Sequence, residues 1–391
     1  MWKDVPYVIL SILIALVLLS LHFPAQGEEL GAGARATSQI EAGFTSNGTD
    51  SGIGEPDTFV RQVHVLEIGS ETPELALRGS VRFEDMRFRV QEIENDQSLG
   101  VSLAVGRQVT PELLLRGAVS AQVSDVGDDW NFLGFYIATR TPSIAAEGSA
   151  EAVWRAGDTE IKARAELGGH RYGDASFPTL PLEPMKLQAD DTRYRGQVSA
   201  RQALGAVVGL AEVEGEIVDI PERDQVDLGR LPGRRLRGSL GGELGWGSVT
   251  VSTEGGGEVV WADERQLLLP YARLRLALAV TDSLSLEAVA GQRVELVDNL
   301  DAAGSHDRRL SVGLRYALQP EFAVLASAER VMRVGLINPM MTSDETVLAL
   351  AFEHSLNAHF AYRAKVSHTS HVDTIETYEK TEFVLGVTGT I

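Results

Sequence analysis

Cysteine is absent from this chain of 391 residues, which excludes disulfide frameworks, thiolate nucleophiles and cysteine-based zinc sites. Basic residues are scarce relative to acidic ones, 35 Lys and Arg against 55 Asp and Glu, for a formal net charge of −20. Phosphate backbones attract cations, so this balance argues against a nucleic-acid partner and for an acidic surface facing water. No repeat of fixed period is present, which removes propellers and solenoids. Beyond the first 27 residues no apolar run reaches the ~20 residues of a spanning helix. A chain of this kind can cross a membrane only as a closed barrel, because every backbone polar group must find a partner within the protein.

The first 27 residues have a three-part layout. Lys3 lies in a short polar start, an apolar run extends from Val8 to Leu21, and Pro24 with Ala25-Gln26-Gly27 precedes Glu28-Glu29. This is the pattern of a secretory signal, with cleavage expected near Gly27 and an uncleaved anchor as the alternative. On either reading residues 28–391 are exported.

Alternation with period two fills the remainder. ELALRGSVRFEDMRFRVQEIE (74–94) places Leu75, Leu77, Gly79, Val81 and Phe83 on one parity and Arg78, Ser80 and Arg82 on the other. After Glu84-Asp85 the pattern restarts, with Met86, Phe88 and Val90 against Arg87 and Arg89. Helical side chains meet three and four residues apart and cannot use such a pattern, whereas a strand can. LGVSLAVGR (99–107), LRGSLGGELGW (236–246), RLSVGLRYAL (309–318) and EFAVLASAERVMRV (321–334) repeat it, and the chain closes on Phe383, Leu385, Val387, Gly389 and Ile391. Many of these runs reach the ~9–11 residues of a tilted transmembrane strand, beyond the ~5–6 of a soluble one.

Connections alternate in length over the second half. Tight turns at Thr281-Asp282-Ser283, Gln319-Pro320-Glu321 and Leu356-Asn357-Ala358 separate longer polar segments at 219–233, 297–308, 336–345 and 370–377. Outer-membrane barrels have short periplasmic turns and longer outer loops. The segment 171–191, with three prolines, reads as a long outer loop. In the first half Glu84-Asp85 is either a hairpin turn or a bulge within one strand, and turns are expected near Thr110-Pro111 and Thr141-Pro142. The expected fold is all-β, an antiparallel transmembrane outer-membrane barrel of about 16–20 strands spanning residues 28–391. A small soluble β domain in residues 28 to about 158, followed by a smaller barrel, is the competing division.

In such a barrel the polar parity faces the lumen. The pore-lining candidates are therefore Arg78, Arg82, Arg87, Arg89, Arg193, Arg195, Arg235 and Arg237, with Arg201, Arg273 and Arg275 as further candidates. Two readings stand open: a basic constriction favouring anionic solutes, or a lattice in which Glu147, Glu151, Glu243 or Glu353 neutralise the arginines. Aromatic residues, 6% of the chain, are few for two interfacial girdles.

Other motifs carry little chemistry. His368 and His371 are three apart and face opposite ways on a strand, so no metal site is expected. Ser367 and His368 point apart and make no nucleophile–base pair. No enzyme and no cofactor are expected. EGGGE (254–258) lacks the Lys-Ser/Thr of a phosphate loop and reads as a kink or bulge. Asn47-Gly48-Thr49 matches a glycosylation sequon and is taken as a loop signal.

The run AHFAYRAKVSHTSHVDTIETYEKTEFVLGVTGTI, with SLEAVAGQRVELVDN and RRLSVGLRYALQPEFAVLASAE, resembles the bacterial β-barrel porins associated with exopolysaccharide genes. The resemblance covers roughly residues 235 to 391 and consists mostly of barrel grammar. It implies residence in a Gram-negative outer membrane, contact with its lipid and with the barrel-insertion machinery, and a role as a porin-like channel or accessory to polysaccharide export. It supplies no catalytic residues. A non-conducting surface barrel is the alternative, and polysaccharide or small anionic solutes are the expected cargo. Barrels of this kind commonly finish on an aromatic residue, and the final Ile391 departs from that pattern.

Overall fold

The period-two runs become strands in the computed structural model, which describes residues 31–391 apart from 52–53, 133–134 and 297–299. Residues 1–27, expected to be a secretory signal, lie outside the described residues. In chain order the strands are β1 Gly31–Thr45, β2 Asp57–Glu71, β3 Leu75–Phe88, β4 Asp96–Gln108, β5 Leu113–Phe132 and β6 Phe135–Ala156. They continue with β7 Thr159–Tyr172, β8 Asp191–Leu204, β9 Val207–Asp219, β10 Gly233–Trp246, β11 Val249–Ala262 and β12 Arg265–Ala279. The last are β13 Leu284–Leu296, β14 Gly304–Gln319, β15 Phe322–Gly335, β16 Thr342–Ser355, β17 Phe360–Asp373 and β18 Thr377–Thr390. A short helix, α1 (Glu222–Leu228), sits in the connection after β9.

Each strand pairs antiparallel with its sequence neighbours, and β1 also pairs with β18 from Thr37↔Thr390 to Thr45↔Glu382, closing an 18-stranded barrel. Strands β1 to β6 belong to this ring, so no separate N-terminal β domain is formed by residues 31–158. Connections at one end are all short, two to four residues, whereas at the other they range from Asp263-Glu264 between β11 and β12 to the long segment 173–190 between β7 and β8. Three of the short turns, after β6, β8 and β10, use Gly157, Gly205 and Gly247 at positive φ, where a two-residue hairpin demands it.

The register decides the two ambiguities of the first half. β3 pairs without interruption from Phe59↔Phe88 to Glu71↔Ala76 on one side and from Leu75↔Arg107 to Met86↔Asp96 on the other. Glu84-Asp85 is therefore neither a turn nor a bulge, and parity does not reset there. Thr141-Pro142 also lies within a strand. Its β7 partner stops at Ser143↔Tyr172, beyond which the next segment touches β6 through the isolated bridge Arg140↔Ser176, while β5 and β6 stay paired to Phe132↔Phe135. Pro142 thus occupies an edge, where a residue without an N–H is tolerated.

The two parities meet different surroundings. On β10, Leu236, Leu240 and Leu244 are exposed while Arg235, Arg237 and Ser239 are buried. Apolar exposed rows mark the lipid side of a barrel, and polar rows its interior. Outward aromatic side chains concentrate near the two ends: Trp154, Trp246, Tyr316, Phe360 and Tyr362 toward the short turns, and Phe44, Phe83, Tyr194, Trp261 and Phe383 toward the loops. The small aromatic content is placed where girdles require it. Among the described residues no helix is long and apolar enough to cross a membrane.

One seam differs from the others. β12 and β13 pair only from Ala279↔Ser285 to Ala272↔Gln292, although β12 begins at Arg265 and β13 runs on to Leu296. Above Gln292 the β13–β14 hairpin leaves the wall and packs on the inner face of its neighbours. Val294 and Leu296 are buried against Val218, Ile220, Val260 and Leu336, with Leu267 and Leu269 alongside. Gly233 makes room: a Cβ there would lie 3.1 Å from Leu296 Cδ2.

Candidate functional site

The inward rows of β8 to β11 build a cluster of charges at the level of the infolded hairpin. Period two places Arg193 and Arg195 on β8, Glu212, Glu214 and Glu216 on β9, Arg235 and Arg237 on β10, and Glu258 on β11 in register across four strands. Arg235 contacts Glu216 at 2.7 Å and is paired with Glu214, and its Nη1 lies 3.7 Å from Glu258. Arg237 binds Glu214 at 2.9 Å, is paired with Glu212, and stacks over Tyr271 with its guanidinium carbon 4.5 Å from the ring centroid. Arg195 reaches Glu216 at 3.1 Å and Glu166 at 3.5 Å, and Arg193 reaches Glu216 at 3.5 Å.

Buried charges of this kind persist only when paired, since desolvation of a lone ion costs several kcal/mol. Glu258 is 0% exposed. Besides facing two arginines, its Oε2 accepts the Val294 backbone N–H at 2.6 Å. Arg235 Nη1 donates to the Val294 carbonyl at 2.5 Å. The hairpin that crosses behind the wall is thus held through its backbone by the same groups that form the ion lattice. Farther along the hairpin Glu295 approaches Arg193 at 3.9 Å.

Glycines in EGGGE serve this cluster by absence of bulk. A Cβ on Gly256 would lie 1.9 Å from the Gly238 carbonyl oxygen, so the strands approach there more closely than any side chain permits. Pairing through 254–258 is regular, without a bulge. Glu254 accepts the Tyr271 hydroxyl at 3.2 Å.

Of the arginines expected to line the lumen, Arg78, Arg82, Arg193, Arg195, Arg235 and Arg237 lie on the inward parity; Arg87 and Arg89 do not. Because β3 continues without a break, Arg87 shares the outward row of Val81 and Phe83, where it pairs with Asp85 at 2.6 Å, and Arg89 follows beyond the strand end. Arg82 pairs with Glu84 at 2.8 Å, and its neighbours across the sheet are Val65 and Gly100. Arg78 forms an exposed pair with Glu71 at 3.4 Å. Arg201, on the same inward row as Arg195, meets Glu243 at 3.3 Å. Arg275 pairs with Glu287 at 2.7 Å. Glu151 meets Arg116, and Glu353 meets Arg315 and Arg363. Glu147 lies in the lumen region that also holds Arg82, Arg193 and Arg195. Most of these inward arginines are matched by a carboxylate, so the interior is a largely neutralising lattice and not a bare basic ring.

His368 faces outward and His371 inward, where His371 sits 3.2 Å from Asp373 and 3.5 Å from Glu345. No group of three or more potential metal ligands occurs among the described residues. Asn47 is buried, its amide donating to Ser51 at 2.8 Å, so the sequon serves loop structure.

The long loop after β7 is tied to the loop carrying α1. Lys186 binds Asp224 at 2.6 Å and Asp190 at 3.0 Å, and the Asp190 N–H donates to Asp224 at 2.8 Å. Burial alone would raise the Asp224 carboxyl, but the Lys186 ammonium and the Asp190 N–H outweigh it and hold it below its ordinary value. Burial would lower Lys186, yet its two carboxylates raise it. A depressed acid stabilises above its ordinary range and loses that contribution as pH falls through its folded pKa; a raised base loses its contribution as pH rises through its own. The tie is therefore complete between about pH 5 and pH 10. A spin label at Leu180 is expected to gain mobility below about pH 4, and Asp224→Asn is expected to give that mobility already at neutral pH. Equal mobility in both proteins at all pH values would refute the tie.

Comparison with known proteins adds a view of the fold. The barrel is similar to a mutant form of the ferric enterobactin receptor of Pseudomonas aeruginosa, with a TM-score of 0.55 and 8% identity, covering 93% of this chain and 81% of that one. It is equally similar to the copper transporter OprC, with a TM-score of 0.55 and 11% identity over 94% of this chain and 81% of that one. The unliganded ferric citrate transporter FecA follows at 0.51 and 10%, covering 86% of this chain and 60% of that one.

The fold is that of an outer-membrane β-barrel. At such identities the likeness carries no ligand and no residue role to this barrel. No protein-family model matches the sequence, and the search of curated proteins finds no significant match.

The residues that sequence reasoning missed are those of the hairpin latch. Val294 and Leu296 continue the apolar parity of β13 and so read as lipid-facing. Glu258 was visible only as the end of a glycine-rich run.

Proposed function

We propose that the protein is a transport barrel of the outer membrane that conducts small hydrophilic solutes through a charge-balanced lumen narrowed by the β13–β14 hairpin. The observation that carries this reading is the mismatch between wall and filling. Barrels of 16–18 strands are too wide for wall side chains to fill and leave an aqueous channel, and here the inward rows are polar while one hairpin folds inside. The transport roles in the names of the similar structures agree with it.

A link to exopolysaccharide export is the narrower form of the proposal, resting on the resemblance of residues 235 to 391. Under it an acidic polysaccharide is the first polymer to test as a blocker of the channel. The second reading, an electrically silent surface barrel, gains support from the buried lattice and the infolded hairpin, which together fill one side of the lumen.

Reconstitution in planar bilayers distinguishes the two. Steady openings whose conductance scales with salt concentration are expected, and a protein that inserts without openings overturns the transport reading. Because arginines are paired with carboxylates, the ratio of potassium to chloride permeability is expected within about threefold of unity, where a basic ring would favour chloride strongly. A reversal potential showing strong anion preference would contradict the lattice.

A further inference from the structure

We propose that the seam between β12 and β13 is a lateral gate through which an acyl chain of the surrounding lipid enters the interior of the wall. Four observations carry it. First, the upper part of β12, from Arg265 to Tyr271, has no strand partner on its β13 side among the described residues, because pairing ends at Ala272↔Gln292. An unpaired edge in hydrocarbon is costly unless its polar groups are satisfied or missing.

Second, this edge is equipped to stand alone. Pro270 has no N–H to leave unpaired, and the His306 ring lies beside its carbonyl.

Third, the space behind the edge is apolar. The hairpin has slid behind β12, so that Leu267 and Leu269 on the inner face of β12 lie against the cluster of Val294 and Leu296 with Val260 and Leu336. This contact is between two layers and depends on side-chain packing. No ladder of backbone hydrogen bonds joins the layers here, so parting them breaks fewer bonds than opening any fully paired seam. Methylene groups of an acyl chain can take the place of the Leu296 side chain against Leu267 and Leu269, apolar surface for apolar surface, while the backbone of Val294 stays on Glu258 and Arg235.

Fourth, the mouth of the seam faces lipid. Leu268, beside Pro270, is 77% exposed on the outward row, and Leu274 and Leu310 are exposed on the flanking outward rows. Arg308 shares the outward row of Leu310 at the same end of the barrel, where a cation suits the acidic headgroup of a lipid whose chain has entered. An occupant arriving from that side is a lipid chain, since water-soluble molecules reach the wall only from the lumen.

The inference rests on the reading that the barrel sits in a bilayer, and the test separates the two. The chain has no cysteine, so single cysteines can be introduced at Leu268, Leu269 and Val289 and labelled with bimane. The proteins are reconstituted in vesicles of phosphatidylcholine with brominated acyl chains. Bromine quenching at Leu268 shows that the outward row touches lipid; its absence overturns the membrane reading itself. Val289 faces the lumen on a fully paired part of β13 and gives the baseline. Quenching at Leu269 severalfold above that baseline, in the wild-type background or with Glu258→Ala releasing the hairpin, is the expected result. Quenching at Leu269 equal to that at Val289 in both backgrounds, with Leu268 quenched, overturns the gate. Leu267→Cys serves as the second probe if the Leu269 variant fails to fold, as judged by gel mobility before and after heating.

Discussion

Glu258→Ala is expected to raise single-channel conductance severalfold and to destabilise the folded barrel by about 1–3 kcal/mol, the usual cost of leaving a buried donor, here the Val294 N–H, without its acceptor. Both effects follow from one side chain with two duties. Its carboxylate lies opposite Arg235 and Arg237 at 3.7 and 3.9 Å, and it accepts the Val294 N–H at 2.6 Å. Removing it frees the hairpin backbone and leaves Arg235 with Glu214 and Glu216 alone. Glu258→Gln retains an acceptor for Val294 and is expected to keep most of the wild-type conductance while losing part of the stability. Conductance in planar bilayers and the temperature at which folded gel mobility is lost measure the two effects separately. A Glu258→Ala channel with wild-type conductance would show that the hairpin does not narrow the path.

Leu240→Arg is the second substitution with a large expected effect. Leu240 lies midway along β10, 71% exposed on the outward row. A charge facing lipid near the midplane costs about 2–4 kcal/mol in a barrel of this kind. On neighbouring β11 the inward Ser252 pairs with Glu243, in the lumen region of Arg201 and Arg273. Ser252→Arg is expected to change stability by about 1 kcal/mol or less, since a charge in water is cheap. Urea titration of the two variants in lipid vesicles, followed by tryptophan fluorescence, makes the comparison. Equal costs would mean that the two parities see the same solvent, and the barrel reading would fail.

Much of the architecture was legible because side-chain direction in a strand follows from counting. Leu236, Leu240 and Leu244 against Arg235, Arg237 and Ser239 needed no other information. Turn chemistry was weaker evidence: Glu84-Asp85 imitates a boundary because two acids interrupt an apolar row, yet near the loop end an outward Asp85 is held by Arg87 and Gln97 and needs no turn. Thr141-Pro142 imitates one because proline punctuates most strands, and it is tolerated here only because β7 has already ended. The pairing of arginine with glutamate was readable as a possibility and became definite only with register, since Arg235 finds Glu214 and Glu216 on a neighbouring strand. The hairpin was not legible at all. Val294 and Leu296 have the parity and the apolarity of lipid-facing residues, and only the early end of pairing at Ala272↔Gln292 turns that face onto the inner wall.

Closure between β1 and β18 bears on how the molecule is made. The last seam joins Thr37 to Thr390, and Ala36 and Ile391 exchange backbone hydrogen bonds at 2.9 Å, contacts separated by nearly the whole polypeptide. Loop-closure entropy delays pairings of such high contact order. A form lacking either terminal strand therefore exposes two unpaired strand borders, each a template on which another chain can pair.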